Sequence, residues 1–175
     1  MKKEKCINVF LDTEFTDMNP HAVPKLISVA LAAQDGREFY AELTDTYQLG
    51  DCSDFVIRNV LPLLDGGEAR VLEARCASRM RDFIESLGES EVVLRSDAPG
   101  YDWPFLAEMF QFYGCWPKNL RRKCGTIYFD NHNLAHRYQA GLCEFWKSDS
   151  SKQHHALEDA RSLRFAWKYA IRKRC

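Results

Sequence analysis

Ile7-Asn8-Val9-Phe10-Leu11-Asp12-Thr13-Glu14-Phe15-Thr16 opens as a strand-length apolar run, Ile7–Leu11, and ends on two carboxylates one residue apart. Side chains alternate across a strand, so positions two apart project on the same face. Asp12 and Glu14 therefore emerge together from the C-terminal end of an apolar strand, which is where open α/β sheets place their ligand sites. The plain competitor is a polar turn that begins at Asp-Thr-Glu, and on these residues alone the two readings weigh equally.

Outward from this strand, Leu26–Ala33 and Glu38–Leu43 flank Asp35-Gly36, a strong hairpin signal. Ser53 reads as the N-cap of a helix carrying Phe55, Val56, Val60, Leu63 and Leu64 and closed by Asp65-Gly66-Gly67. Pro62 inside that span predicts a kink or a stop one turn early. Residues 71–87 place Ala77, Met80, Ile84 and Leu87 at helical spacing before Gly88, and Val92–Leu94 reads as a buried strand. A further helix is expected from Asp102 to Tyr113, with Pro104 in its first turn and Gly114 as its stop. Residues 115–150 give no clear pattern. The clearest helix is the last, where Ala156, Leu157, Ala160, Leu163, Trp167, Ala170 and Ile171 share one face. A β-rich start followed by alternating strands and helices predicts an α/β fold, a mixed sheet flanked by helices.

Bulk properties restrict the function classes. The chain has 175 residues, enough for one domain spanning 1–175, and 46% of them are hydrophobic, which suits a sizeable core rather than disorder. With a formal net charge of −1 the protein is not broadly basic, so any nucleic-acid surface must be local. The seven cysteines are odd in number and form no C-x-x-C pair, which favours reduced thiols. The short apolar stretch near the start is broken by Asn8 and ends at Asp12, too short for a signal peptide, and no run reaches the roughly 18–20 apolar residues of a membrane span. A cytoplasmic protein with no membrane partner is expected.

Three further residues join Asp12 and Glu14 as candidates. Asp159 falls on the inward side of the last helix if that helix starts near residue 154, and an inward carboxylate must be paired, hydrogen-bonded or metal-bound. Pairing with Arg161 or Arg164 would be the plain alternative. Asp102 follows a strand and a Pro-Gly turn, and its plain reading is an N-cap. His154, five residues before Asp159, has the side chain best poised for proton transfer near neutral pH. Gathered in one cleft, four carboxylates would repel by about 4 kcal/mol per close pair at ~4 Å and an effective dielectric of about 20. Hard divalent cations relieve that repulsion, and two of them can drive phosphodiester cleavage.

The motifs carry a family resemblance. Phe10-Leu11-Asp12-Thr13-Glu14-Phe15-Thr16 resembles the first motif of the DEDDh 3′–5′ exonucleases, which share an RNase H-like fold. Tyr101-Asp102-Trp103-Pro104-Phe105-Leu106 is similar to the second, and His154-His155-Ala156-Leu157-Glu158-Asp159-Ala160 to the third, His-x-Ala-x-x-Asp-Ala. Together with 26–40, the first motif and the Phe55–Leu64 helix look like a small bacterial branch of exoribonucleases. The resemblance implies Asp12, Glu14, Asp102 and Asp159 as ligands of two Mg²⁺ or Mn²⁺ ions, and His154 as the base that deprotonates the attacking water. It also implies that Thr13 and Phe15 meet the terminal nucleotide. The expected activity is release of nucleoside 5′-monophosphates from the 3′ ends of RNA, on single strands or 3′ overhangs, as in RNA processing. Relatives of this size often pair, so a homodimer is compatible with it.

Two positions stay open: Asp97 rivals Asp102, and His155 rivals His154, although the aromatic before Asp102 and the His-x-Ala spacing favour the named residues. The competing functions are a DNA 3′–5′ exonuclease or proofreader and a non-catalytic nucleic-acid-binding module. Cys124, His132, His136 and Cys143 are a lesser candidate for a zinc site, with the two histidines at i,i+4 spacing. The basic groups Arg121-Arg122-Lys123 and Arg164, Lys168, Arg172, Lys173, Arg174 are candidate phosphate contacts.

Overall fold

Strand β1 spans Ile7–Phe15 in the computed structural model, which describes residues 6–19, 21–147 and 150–172. It runs four residues past the apolar stretch, so Asp12 and Glu14 lie within the strand. It sits in the middle of a six-stranded sheet ordered β4-β3-β2-β1-β5-β6, where β2 is Leu26–Ala33, β3 Glu38–Leu43, β4 Arg70–Val71, β5 Val92–Ser96 and β6 Gly125–Thr126. The β1–β2 and β2–β3 pairs are antiparallel; β3–β4, β1–β5 and β5–β6 are parallel. Both hairpin strands match the sequence expectation. The turn between them needs Gly36 at φ +107°, a conformation that favours glycine.

The sheet is covered on both faces, which is why β2 is buried at every position instead of alternating. On one face, Val9, Leu11, Val29, Leu31 and Leu94 pack with Ala77, Met80 and Ile84 of α2 (Glu73–Ser86) and Leu106, Met109 and Phe110 of α3 (Pro99–Phe112). On the other, Phe10, Ala30 and Ala32 meet Tyr138 of α4 (His132–Trp146) and Ala156, Ala160, Leu163, Ala166 and Ala170 of α5 (Ala156–Ile171). A bulge interrupts the β1–β2 register: Glu14 pairs with Ser28 but Phe15 with Leu26, leaving Ile27 unpaired. Ile27 packs instead against Val56 and Val60, at the end of the short helix α1 (Asp54–Asn59). Ser53 caps α1 as expected, accepting from the Val56 N–H at 3.4 Å. The helix stops before Pro62, which falls in a 3₁₀ turn over Leu61–Leu63.

Three expectations need correction: the start of α3, the place of Pro104 and the side on which Ile171 lies. Helix α3 begins at Pro99, three residues before Asp102, because Pro99 is a competent first helical residue with φ already set. Asp102 is therefore inside the helix, its N–H bonded to the Ala98 carbonyl at 3.3 Å, and is not an N-cap. Pro104 correspondingly lies in the second turn rather than the first. The illegible region 115–150 contains β6 and the fifteen-residue helix α4. The helix approaches α5 closely at one point: a Cβ on Gly141 would lie 2.8 Å from Ala166 Cα. Larger residues flank that close approach: Tyr138 and Leu142 join the core shared with α5, and Phe145 meets Phe165 at 5.7 Å. Ile171, expected on the inner face of α5, is exposed.

Candidate active site

Asp12 and Glu14 project from β1 on the same face as Phe10, towards α5. Thr13 points the other way and is buried, and there it meets α3. Its N–H and Oγ donate to Asp102 Oδ1 at 3.2 and 2.7 Å. The Ser96 hydroxyl, at the end of β5, donates to Asp102 Oδ2. Asp102, 4% exposed, thus ties together the C-terminal ends of β1 and β5 and the first turns of α3. Oδ1 spends both lone pairs on Thr13, whereas Oδ2, with the single bond from Ser96, keeps a second one for another ligand. Asp97 stands nearby but is exposed and makes no comparable set of bonds.

From the opposite side, the first turn of α5 brings Asp159, whose Oδ2 accepts the backbone N–H of His154 at 2.8 Å. The alternative pairing with arginine does not occur. Arg161 binds Glu38 and Glu158, and Arg164 binds Glu38. His154 carries φ +72°, the one non-glycine among the described residues with positive φ. Its ring stands edge-on to Phe55 of α1, centroids 5.0 Å apart. His155 turns inward instead, is buried, stacks on Tyr40 at 4.7 Å, and has its Nε2 3.6 Å from Asp65. His154 lines the cleft that holds the carboxylates and His155 does not.

That cleft has a volume of about 910 Å³ and includes Asp12, Thr13, Glu14, Phe15, Asp97, Asp102, His154 and Asp159 in its walls. Ligand atoms of Glu14, His154 and Asp159 all lie within 4.8 Å of one another. Among the described residues no Lys or Arg lines the cleft, so protein cations do not offset the acids. The carboxyls respond accordingly. Burial, then the charges of Asp159, Glu14, Asp102 and Asp97, hold Asp12 well above the usual carboxylate range. Burial and the charges of Asp159 and Asp102 push Glu14 up to about 8. Burial lifts Asp159 to about 7 against the opposing His154 N–H bond. Asp102 is also raised by burial, with the Ser96 and Thr13 hydrogen bonds pulling the other way. An oxygen-rich site that is costly to ionise and lacks a protein counter-charge suits a hard divalent cation.

Aromatic and aliphatic side chains supply much of the remaining lining, with Asp17, Ser53, Gln153 and Ser162 among them. Phe15 stacks on Tyr101 with centroids 6.1 Å apart and 9° between planes, and contacts Phe105 at 5.6 Å. Met18, Phe55, Leu142 and Trp146 complete that wall. Sequence reasoning missed Ser96, Phe55, Leu142 and Trp146 as site neighbours. Only Phe55 had a usable signal, through the Ser53 cap that fixes where α1 starts.

The zinc reading is not supported. Glu14, His154 and Asp159 are the one group of three or more such side chains among the described residues close enough to share an ion. Of the basic groups, Arg121 pairs with Glu91, Arg122 lies 4.4 Å over Trp116, and Arg164 is bound to Glu38. Lys173 and Arg174 lie outside the described residues.

No family model matches the sequence, and neither does any curated protein. Solved structures do match. One is the nuclease domain of 3′hExo, a DEDDh family member, bound to rAMP, with a TM-score of 0.56 and 13% identity. The alignment covers 91% of this chain and 88% of that one. The fold is that of a DEDDh exonuclease domain. A full-length 3′-exonuclease shares it at 13% identity and TM-score 0.54, covering 91% of this chain and 79% of that one. So does a 3′-exonuclease recognising a histone mRNA stem-loop, at 10% identity and TM-score 0.56, covering 91% of this chain. This chain spans 61% of that protein's length. At such identities the likeness extends to the DEDDh exonuclease fold and the chemistry must be argued from the site.

Proposed function

We propose that the chain is a metal-dependent 3′–5′ exoribonuclease that releases nucleoside 5′-monophosphates from RNA 3′ ends. One observation carries the reading. Asp12, Glu14, Asp102 and Asp159, from β1, α3 and α5, meet His154 in a single cleft that no Lys or Arg among the described residues lines. In this reading the four carboxylates hold two Mg²⁺ or Mn²⁺ ions. Such ions, when bound, polarise the phosphodiester and make water a nucleophile at neutral pH.

The protein's own groups do the remaining work. His154 accepts the proton of the attacking water through its imidazole, which Phe55 and the Asp159 bond to its backbone hold at the cleft. Asp102 fixes Thr13, and with it the strand end that the terminal nucleotide meets. The Phe15–Tyr101 pair offers a flat apolar surface for a base. The similar structures are of 3′-exonucleases, one bound to rAMP and one recognising an mRNA stem-loop, which supports a 3′-exonuclease; the preference for RNA over DNA is part of the proposal.

The test is a time course on 5′-labelled single-stranded RNA and the matching DNA, with Mg²⁺, Mn²⁺ or EDTA. A metal-dependent ladder shortening from the 3′ end, faster on RNA, is expected. Equal cutting of both would leave an exonuclease without the RNA preference. No cutting of either would remove the reading.

A further inference from the structure

Beside the acidic cleft lies a second cavity of about 440 Å³, which shares Asp97 and Leu142 with it. Tyr128, His132, His136 and Gln139, from the segment after β6 and the start of α4, line it. Tyr128 is 72% exposed, and both histidines are exposed as well. His132 and His136 are one helical turn apart, so their imidazoles share a face of α4. Tyr138 also borders the cavity, with a buried hydroxyl that finds no hydrogen-bond partner among the described residues. Asp97 joins the two spaces electrostatically: its charge is felt by Asp12 and Asp159 on one side and by Tyr138 on the other.

The chemistry of this lining fits one ligand unit. Pockets of roughly 300–1,000 Å³ hold small-molecule-sized groups, so the space suits a single nucleotide and not a duplex. An open tyrosine ring can carry a base of any sequence. Imidazole N–H groups donate to phosphate oxygens. Continuity with the acidic cleft decides which nucleotide this is.

We propose that the cavity is a subsite for the penultimate nucleotide of a single strand whose terminal nucleotide occupies the acidic cleft. The base lies against Tyr128, and His132 and His136 hold the phosphate on its 5′ side. The inference rests on the exonuclease reading and deepens it. It gives the i,i+4 histidine pair a role that a zinc site would not.

The experiment compares two substrates, each variant against the parent protein: one brings a penultimate base and its 5′-side phosphate to this cavity, and in the other a nitrophenyl leaving group replaces them. The p-nitrophenyl ester of uridine 5′-monophosphate presents the terminal nucleotide alone; a uridine trinucleotide also fills the subsite. Tyr128→Ala should lower kcat/KM on the trinucleotide by about 5- to 150-fold, the loss expected for one stacked base, mainly through KM. His132→Ala/His136→Ala should also raise the trinucleotide KM. Both variants should hydrolyse the ester as the parent protein does. Parallel losses on both substrates, or none on the trinucleotide, would overturn the proposal. If the parent protein cuts neither substrate, the exonuclease reading fails. The subsite is then decided by fluorescence anisotropy of a labelled trinucleotide in Ca²⁺, competed with uridine 5′-monophosphate. Weaker trinucleotide binding by Tyr128→Ala with unchanged mononucleotide binding upholds it; equal binding by parent and variant overturns it.

Discussion

The backbone N–H of His154 donates to Oδ2 of Asp159 at 2.8 Å, from a residue whose φ is +72°. Five positions apart in sequence, the proposed base and a proposed metal ligand thus share a hydrogen bond at the start of α5. A non-glycine in the left-handed region costs roughly 1–3 kcal/mol and persists only where its surroundings impose it. Here Asp159, the buried ring of His155 on Tyr40 and the Phe55 contact surround it. Strain at this turn aims the imidazole into the cleft.

His154→Gly should therefore be more stable than His154→Ala, because glycine adopts this φ without penalty. About 1 kcal/mol corresponds to a Tm difference of roughly 2–4 °C for a chain of this size. Both variants should lose about 10²- to 10⁴-fold in cleavage rate, the usual contribution of a general base. Thermal melts and single-turnover rates check this. A glycine variant that cleaves normally would remove His154 as the base, and equal melting of the two would remove the strain argument.

Asp12→Asn separates function from stability. The folded protein holds this carboxyl above its usual range, chiefly by burial. The charged form is thus disfavoured in the fold, and its cost appears as pH rises above about 4, where the unfolded residue ionises. In EDTA the Asn variant should melt higher than the parent at pH 8 and show little difference at pH 4. Its metal-dependent cleavage should vanish, and so should most of the Tm rise produced by Mn²⁺, which binding to the folded state alone would supply. Retained cleavage would sink the metal-site assignment.

Much of this arrangement was legible in the residues because local rules and the fold agree there. Alternation placed Asp12 and Glu14 on one face of β1, Asp-Gly marked the β2–β3 turn, and Ser53 marked the start of α1. Asp159 was read as inward from the α5 stripe; it lines the cleft, and Arg161 and Arg164 bind Glu38 instead of it. What stayed hidden depends on contacts distant in sequence. Asp102 looked like an N-cap because Pro99-Gly100 read as a turn, and nothing local announces its bonds to Thr13 and Ser96. Helix α4 escaped although Leu134, Tyr138, Leu142 and Phe145 fall at helical spacing, because basic and polar residues interrupt that stripe and Gly141 lies within it.

Glu38 supplies a pH-dependent part of the stability. Hydrogen bonds from Arg161, at 2.5 Å, and from Arg164, at 2.6 Å, hold its carboxyl below the usual range and lock α5 onto β3. A lowered folded pKa contributes stability above the unfolded value of about 4.3 and loses it as pH falls through the folded one. Glu38→Gln should cost about 1–2 kcal/mol at pH 7, a hydrogen-bonded ion pair discounted for partial exposure. The difference between variant and parent should shrink towards zero near pH 3. A penalty independent of pH would show that packing, not charge, sets the contribution.

Gly141→Ala tests the crossing of α4 and α5, and here two effects oppose each other. Alanine in a helix interior is favoured over glycine by about 1 kcal/mol. The added Cβ, however, would sit 2.8 Å from Ala166 Cα, 3.0 Å from Tyr169 Cβ and 3.3 Å from Ala166 Cβ. The first of these is backbone of α5 and cannot rotate away, so the helices must separate. Overpacking of this kind costs roughly 1–3 kcal/mol, occasionally more, and should outweigh the propensity gain. Because α5 carries Asp159 and α4 carries Leu142 and Trp146, the shift should reach the cleft as well. Lower Tm together with reduced cleavage is the expected result. A variant that melts higher than the parent would mean that the two helices do not pack this closely in solution.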